Sequence, residues 1–422
     1  MIEGLKPYPS YKPAELPTLD EVPSHWDQRR AKFLFREVDE RSQTGAEELL
    51  SVSHKTGITP RSQKNVTMFK AESYVGHKLC RPNDLAINTM WAWMGALGVS
   101  RHVGIVSPAY GVYRPTGRGG LVPAYTDALL RTPAFVHEYN RRSTGIQSSR
   151  LRLYPEEFLR IPLLVPPVGE QHAIAKFIDH ADRRIRRYIR AKQKLINLLE
   201  EQKQAIIHQA VTRGLNPDVR LKPSGVEWLG DVPEHWDVVR FKSAALVHGR
   251  LVDPRLPKYR ALPLVAPNHI ERGGSGRLLD CSSADEQGAD SAKYEVGIGQ
   301  IIYTKIRPYL RKASIAPFHC LCSADMYPVS QRRMDRLQTE FLLQVMLSLP
   351  FTRYVVDCSL RAAMPKVNRQ ALGEAPVWLP PTAEQQAILQ YTAMKTKGPD
   401  RTIREASGEI ALLREYRTRL IS

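Results

Sequence analysis

No run in this chain approaches the ~18 consecutive apolar residues that a membrane-spanning helix needs, and the opening MIEGLKPYPSYKP has no apolar core of the kind a secretory signal carries. Neither a secreted nor a membrane-embedded protein is expected; a cytoplasmic one is. Cysteine is scarce, with five in 422 residues (Cys80, Cys281, Cys320, Cys322 and Cys358). They are odd in number and show no paired CxxC spacing, so reduced thiols are expected rather than a disulfide framework or a zinc cage. The marks of a self-contained enzyme are missing too. There is no GxxxxGK[ST] phosphate loop, no GxGxxG after a strand and no HExxH. The Asn-Pro-Pro-Tyr or Asp-Pro-Pro-Tyr motif with which amino-methyltransferases hold a flipped base is also absent. Acidic residues are in short supply: 43 Asp and Glu stand against 61 Lys and Arg, a net charge of +18.

That excess is the strongest compositional signal. Lys and Arg that neutralise a polyanion release its counterions, so a basic chain binds nucleic acid without any special motif. Hydrophobic residues at 42% and charged residues at 25% are ordinary for a globular protein. At roughly 100–200 residues per domain, the length calls for two or three compact units.

The chain repeats itself. Val22 to Lys32 reads VPSHWDQRRAK and Val232 to Lys242 reads VPEHWDVVRFK, matching at seven of eleven positions with an offset of 210. Pro166 to Ile174 reads PPVGEQHAI and Pro380 to Ile388 reads PPTAEQQAI, an offset of 214 that Leu198-Leu199 and Leu412-Leu413 keep. Between the first and second words the halves diverge, leaving a faint common beat in RPNDLAINT (Arg81 to Thr89) and GIGQIIYTK (Gly297 to Lys305). A shared scaffold carrying unlike inserts is the reading.

After the second word comes a helix pattern. From Glu170 to Arg213 there is no Gly or Pro, and Ile174, Ile178, Ala181, Ile185, Tyr188, Leu195, Leu199 and Ile206 follow heptad steps, with Lys192 and Gln202 as polar exceptions. At 1.5 Å per residue this is a rod of roughly 65 Å, close to two turns of B-DNA. Gly214 and Pro217 end it. In the second copy, Gly398 and Pro399 should kink or split the helix, and the seam resumes through Ile403, Ala406, Ile410, Leu413 and Leu420. The copy stops at Ser422, short of the turns HQAVTRGL (His208 to Leu215) that end the first. The expected architecture is α+β: two globular α/β heads (residues 1–165 and 216–379) separated by two long antiparallel coiled-coil helices (166–215 and 380–422), related by a pseudo-two-fold.

The order of these words, with GVEWLGDVPEHWDVVRFK (Gly225 to Lys242), LPP before EQQAI and LLREYRTRLIS (Leu412 to Ser422), resembles the specificity subunits of type I restriction-modification systems over essentially the whole chain. The resemblance implies that each head is a target recognition domain reading one half of an asymmetric, bipartite site on double-stranded DNA. It implies that the helix pair sets the spacer and docks two methyltransferase subunits. It also implies that this chain is non-catalytic and binds no cofactor itself. S-adenosylmethionine then belongs to the partner methyltransferase subunits, which methylate adenine N6, and ATP with Mg to a restriction (translocase) subunit where one is present.

Two competing readings stand beside it: a basic coiled-coil nucleic-acid-binding scaffold without sequence preference, and a self-contained DNA methyltransferase. The scaffold gives no reason for two divergent heads, and the enzyme lacks its motifs. Glu201-Gln202-Lys203 has the ExK shape of some nucleases but sits on a heptad helix, where charge pairs are solvated. His25-Trp26-Asp27 and His235-Trp236-Asp237 repeat without any repeated nucleophile, so the tryptophans are expected to plug the base of each head while His and Asp hold the opening turn.

Direct readout needs forked donors: Arg or Lys for guanine, Asn or Gln for adenine. In the first head these are Lys55, Arg61, Gln63, Lys64 and Asn65 around Gly57, then Arg101, Arg114 and Arg118. Trp91 and Trp93, two apart, would face the same way on a strand, where packing is the favoured reading and stacking on DNA the alternative. In the second head, Asn268, Arg272 and Arg277 lie near glycines, and Lys305, Arg307, Tyr309, Arg311 and Lys312 cluster. On the rod, Arg183, Arg184, Arg186, Arg187, Arg190 and Lys194 fall on outer faces, as a solvated surface or as contacts to spacer phosphates or an acidic partner.

Overall fold

The computed structural model describes residues 6–63, 73–117, 120–145, 151–359 and 365–421. They form two compact units, Met1–Lys192 with Gly408–Ser422, and Gln193–Ser407. Each unit therefore holds one head together with one half of each long helix.

In the first unit, Tyr11–Pro13 pairs antiparallel with Glu21–Pro23. The strand that follows the HW word, Asp27–Arg30, pairs with Pro162–Val165, in register from Asp27 opposite Val165 to Pro162 opposite Arg30. The head is thus closed by its own first and last strands, the last buried at all four positions. Between them lies a four-stranded antiparallel sheet in the order Phe35–Glu37, Gly111–Pro115, Leu85–Ile87, Leu97–Val99. Helices Pro123–Leu130 and Pro133–Arg142 begin on proline, whose missing N–H costs nothing at a helix start. Their residues Leu130, Phe135 and Tyr139 join Phe35, Tyr113 and Phe158 in one core.

The second unit repeats the closing strands, the four-stranded antiparallel sheet and the two helices of this backbone. The hairpin Leu221–Pro223 with Asp231–Pro233 keeps the offset of 210, and Asp237–Arg240 pairs with Pro376–Leu379. In the four-stranded sheet, Leu85 faces Val99 and Tyr113, while Ile301, 216 positions later, faces Ile315 and Val329, again 216 later. A third pairing, Cys80 with Gly104, recurs as Val296 with Cys320 at the same offset. Helices Thr339–Leu347 and Leu349–Asp357 also begin 216 residues after their counterparts. The halves that diverge in sequence are therefore one fold twice. The conserved quantity is where apolar side chains fall, Leu85 and Ile87 against Ile301 and Tyr303, and volume and pattern suffice to specify a core.

The central helix runs without a break from Val168 to Arg213, 46 residues. It ends on Gly214, whose φ of +75° only glycine adopts without strain. The terminal helix runs from Thr382 to Ile421 with Pro399 inside it. The expected split at Gly398-Pro399 does not occur. Proline leaves the carbonyl of Lys395 without its helical donor, but Lys395 is exposed, so water can serve that oxygen.

The helices pack antiparallel within each unit. In the first, Asp182 bonds Arg417, Lys192 meets Glu409 at 2.8 Å, and Ile174, Ile178 and Leu420 line one apolar groove with Trp26. In the second, Lys203 reaches Asp400 at 2.5 Å. Ile185, Ala406 and Ile410 are buried, and Leu199, Ile206, Ile403 and Leu413 are half-buried. The heptad reading loses phase at Tyr188 and Leu195, which are 53% and 38% exposed; Ile189, Lys192 and Ile196 face inward instead. Two successive steps of four, Ala181 to Ile185 to Ile189, carry the stripe one residue on, because a 3.6-residue helix drifts against a strict heptad. Lys192 and Lys203 then fall on the seam, each neutralised by a carboxylate of the other helix.

Candidate nucleic-acid interface

The repeated words build a latch between each head and its helix. His25 Nε2 lies 2.9 Å from Glu170 Oε2, Trp26 Nε1–H donates to Glu170 Oε1 at 3.0 Å, and the Tyr8 hydroxyl bonds the same carboxylate. His235 and Trp236 make the same contacts to Glu384 at 2.7 and 3.1 Å. Burial pushes the Glu170 carboxyl up, but the bonds from Tyr8, His25 and Trp26 outweigh it and hold the group below the usual carboxylate range. Burial and that carboxylate push the Tyr8 hydroxyl up to about 12. The adjoining glutamine is a second clasp. Gln171 Oε1 accepts from Val122 N–H at 2.8 Å and its amide donates to Pro166 O at 2.9 Å; Gln385 does the same with Gln338 N–H and Pro380 O, both at 2.9 Å. Sequence reasoning found the EQ pair as a helix start and missed it as the partner of HW, although both repeat together. Trp236 is fully buried, whereas Trp26 is only half-buried, so the plug expected of both holds for one. Asp27 and Asp237 turn outward to Arg29 and Arg336.

In the first head, Lys55 and Gln63 are exposed around the Leu50–Ser53 and Gly57–Pro60 hairpin, Arg61 is half-buried there, and Arg101 is exposed on the turn after Leu97–Val99. Lys64, Asn65 and Arg118 lie outside the described residues. Arg114 is tied to carboxylates of its own head. Its guanidinium forks onto Asp84 at 2.9 and 3.0 Å and onto Glu40 at 2.6 Å, which raises its already high pKa further. Trp91 and Trp93 lie on a turn and a short 3-10 helix rather than on a strand, and Trp91 is 51% exposed instead of packed.

In the second head, Asn268, Arg272, Arg277, Arg307 and Tyr309 are exposed. Three of the clustered residues are structural instead. Arg311 donates to Gly273 O at 2.6 Å and Gln204 Oε1 at 3.0 Å, and Lys312 to Pro267 O at 2.6 Å. Lys305 is buried, its ammonium 4.8 Å from the Tyr327 ring; burial, and then neighbouring Lys366, lower its pKa. Arg369, beside it over the same ring at 5.4 Å, went unremarked in the sequence.

On the central helix, all six cations of the basic run are exposed, with Arg183 and Arg186 paired to Asp179 and Asp182 one turn back. Tyr188, Leu195 and Leu198 on that helix, and Met394, Leu412 and Tyr416 on the terminal one, are apolar or aromatic and exposed. Among the described residues, no group of His, Cys, Asp and Glu is placed to hold a metal ion, and no helix is long and apolar enough to cross a membrane.

No protein-family model matches the chain. By sequence it is 32% identical over 245 residues to the type I restriction enzyme EcoDI specificity subunit of Escherichia coli, a match covering 54% of each chain. The alignment thus spans about half the length of that curated relative. By fold, a chain from a structure on the complex assembly and conformational transition of the type I R-M system covers 95% of this chain and 97% of its own at a TM-score of 0.66 and 14% identity. The HsdS subunit from Thermoanaerobacter tengcongensis aligns over 95% and 96% at a TM-score of 0.47 and 15% identity.

Proposed function

As a relative of the specificity subunits of type I restriction enzymes, this chain is, we propose, a non-catalytic DNA-recognition subunit whose two heads each read one half of a split site. The observation that carries the reading is the doubled backbone with unlike exposed side chains: a sheet repeated at an offset of 216 presents different side chains from equivalent positions. One scaffold used twice fits one task done twice, on two different sequences. The net charge of +18 supplies the sequence-independent attraction to phosphate. The exposed apolar residues along the outer faces of the helices suit docking of methyltransferase subunits, since a monomer gains nothing by showing them to water. Those partners carry S-adenosylmethionine and transfer its methyl group to adenine N6; a restriction subunit, where present, brings ATP and Mg.

The test is to express the chain with its methyltransferase subunits in an unmodified host and map N6-methyladenine by single-molecule sequencing. The reading expects one asymmetric motif with a fixed unspecified gap. A continuous motif, or none from a purified, folded complex, would refute it.

A further inference from the structure

Both heads carry a seven-residue loop at the same place in the sheet, Thr89–Gly95 and Lys305–Arg311, and the two loops share their stems and their 3-10 turn but neither their chemistry nor the backbone of the third residue, where Trp91 has φ −127° and Arg307 φ +48°. Their stems close alike: Asn88 N–H donates to Ala96 O at 2.9 Å and Thr304 N–H to Lys312 O at 3.0 Å. The first residue of each is pinned from the segment before the closing strand, by Leu153 N–H to Thr89 O at 2.9 Å and Val367 N–H to Lys305 O at 3.0 Å. A 3-10 turn occupies Ala92–Met94 in one and Pro308–Leu310 in the other. Both end on a left-handed residue, Gly95 at φ +79° and Arg311 at φ +49°. Glycine is the expected occupant there; arginine is held in it by its bonds to Gly273 and Gln204.

What the loops present is unlike. The third position is Trp91 in the first head and Arg307 in the second; the fifth is Trp93 and Tyr309. Trp91 is 51% exposed and flanked by Met90 at 46%, an exposed apolar tip. Arg307 is exposed, makes no ion pair among the described residues, and is itself left-handed at φ +48°, with its N–H fixed on Pro365 O at 2.8 Å. A large side chain exposed on a backbone tied at both ends is preorganised for a surface that arrives later.

We propose that these two loops are the equivalent base-reading elements of the heads: Arg307 reads a guanine with its forked donors, and Trp91 reads its half-site by ring and methyl contact. The inference rests on the proposed function and names which residues deliver it. Phosphate contacts position without specifying, so the two roles separate experimentally.

The test maps N6-methyladenine for the wild-type chain with its methyltransferase subunits, and for Arg307→Ala, Arg307→Asn and Trp91→Ala in the same complex. Arg307→Asn keeps a residue that tolerates the left-handed backbone, which guards against loss of fold. Both Arg307 variants are expected to relax one base position in one half-site only, raising methylation at excluded sites roughly 10-fold or more. Trp91→Ala is expected to change only the other half. A uniform loss of methylation with the motif intact would make Arg307 a phosphate contact and overturn the proposal. So would an unchanged motif at undiminished level, or changes in both halves from one variant. A wild-type chain giving no split motif would instead overturn the parent reading, and the loop assignment with it.

Discussion

Replacing Arg114 with Met should unfold the first unit more easily while leaving DNA binding intact. The Asp84 side chain is 2% exposed, and its carboxylate receives both forked bonds of Arg114. Removing the arginine leaves a buried charge without its counter-ion, which costs ~3–5 kcal/mol. Asp84 keeps the bond from Arg81 N–H at 2.9 Å, and the arginine is itself 20% exposed, so the lower end, about 3 kcal/mol, applies. For a unit of this size, ~2–4 °C per kcal/mol converts that to a fall of about 6–12 °C in Tm. The second head supports the assignment. Gln300, at the position of Asp84, closes the same turn by accepting from Gly297 N–H at 2.8 Å, and being neutral it has Ser330 rather than an arginine opposite. Thermal unfolding of the full chain reads the first quantity, and duplex affinity at 20 °C the second. An unchanged Tm with a clear loss of affinity would refute the reasoning and return Arg114 to the DNA surface.

Glu170→Gln should weaken the latch. Because the folded-state carboxyl is held below its ordinary value, its contribution is present above the usual carboxylate range and lost as pH falls through the folded value; wild-type stability should drop there, and the Gln variant should show a flatter profile in pH-dependent unfolding. Gly398→Ala should stabilise the second unit by about 1 kcal/mol, since a Cβ there meets nothing within 4 Å; a lower Tm would show the open site to be needed. Binding to random duplex should fall steeply with salt, while preference for the mapped site survives; a preference lost in parallel would favour the scaffold without specificity.

How far the sequence carried depended on what each feature leaves in the residues. The HW and EQ words and the apolar stripe Ile174, Ile178, Ile185 were legible because they repeat or keep a period. The equivalence of the heads was legible only in the beat shared by RPNDLAINT and GIGQIIYTK, because Leu85 and Ile301 serve one role in unlike neighbourhoods; pairing register carries that offset of 216 through the rest of the sheet. Leu195 was misplaced because the extra step of four at Ile189 swaps the order of the heptad steps, so that 189, 196 and 203 take the places expected of 188, 195 and 202 while 192, 199 and 206 stay on the seam. Arg114, Arg311 and Lys312 looked like DNA contacts because composition cannot tell a cation facing solvent from one tied to Asp84, Gly273 or Pro267. Glu170 went unnoticed as a partner of His25 because the two are 145 residues apart.

The central claim is that each head reads its own half-site, and a head exchange tests it most directly. Residues 27–162 put in place of 237–376 join at equivalent strand positions, Asp27 for Asp237 and Pro162 for Pro376. Mapped with the same methyltransferase subunits, the exchanged chain is expected to methylate a motif carrying the first half-site twice, with the second half gone. The original asymmetric motif, persisting from a chain that no longer contains the second head, would contradict the account.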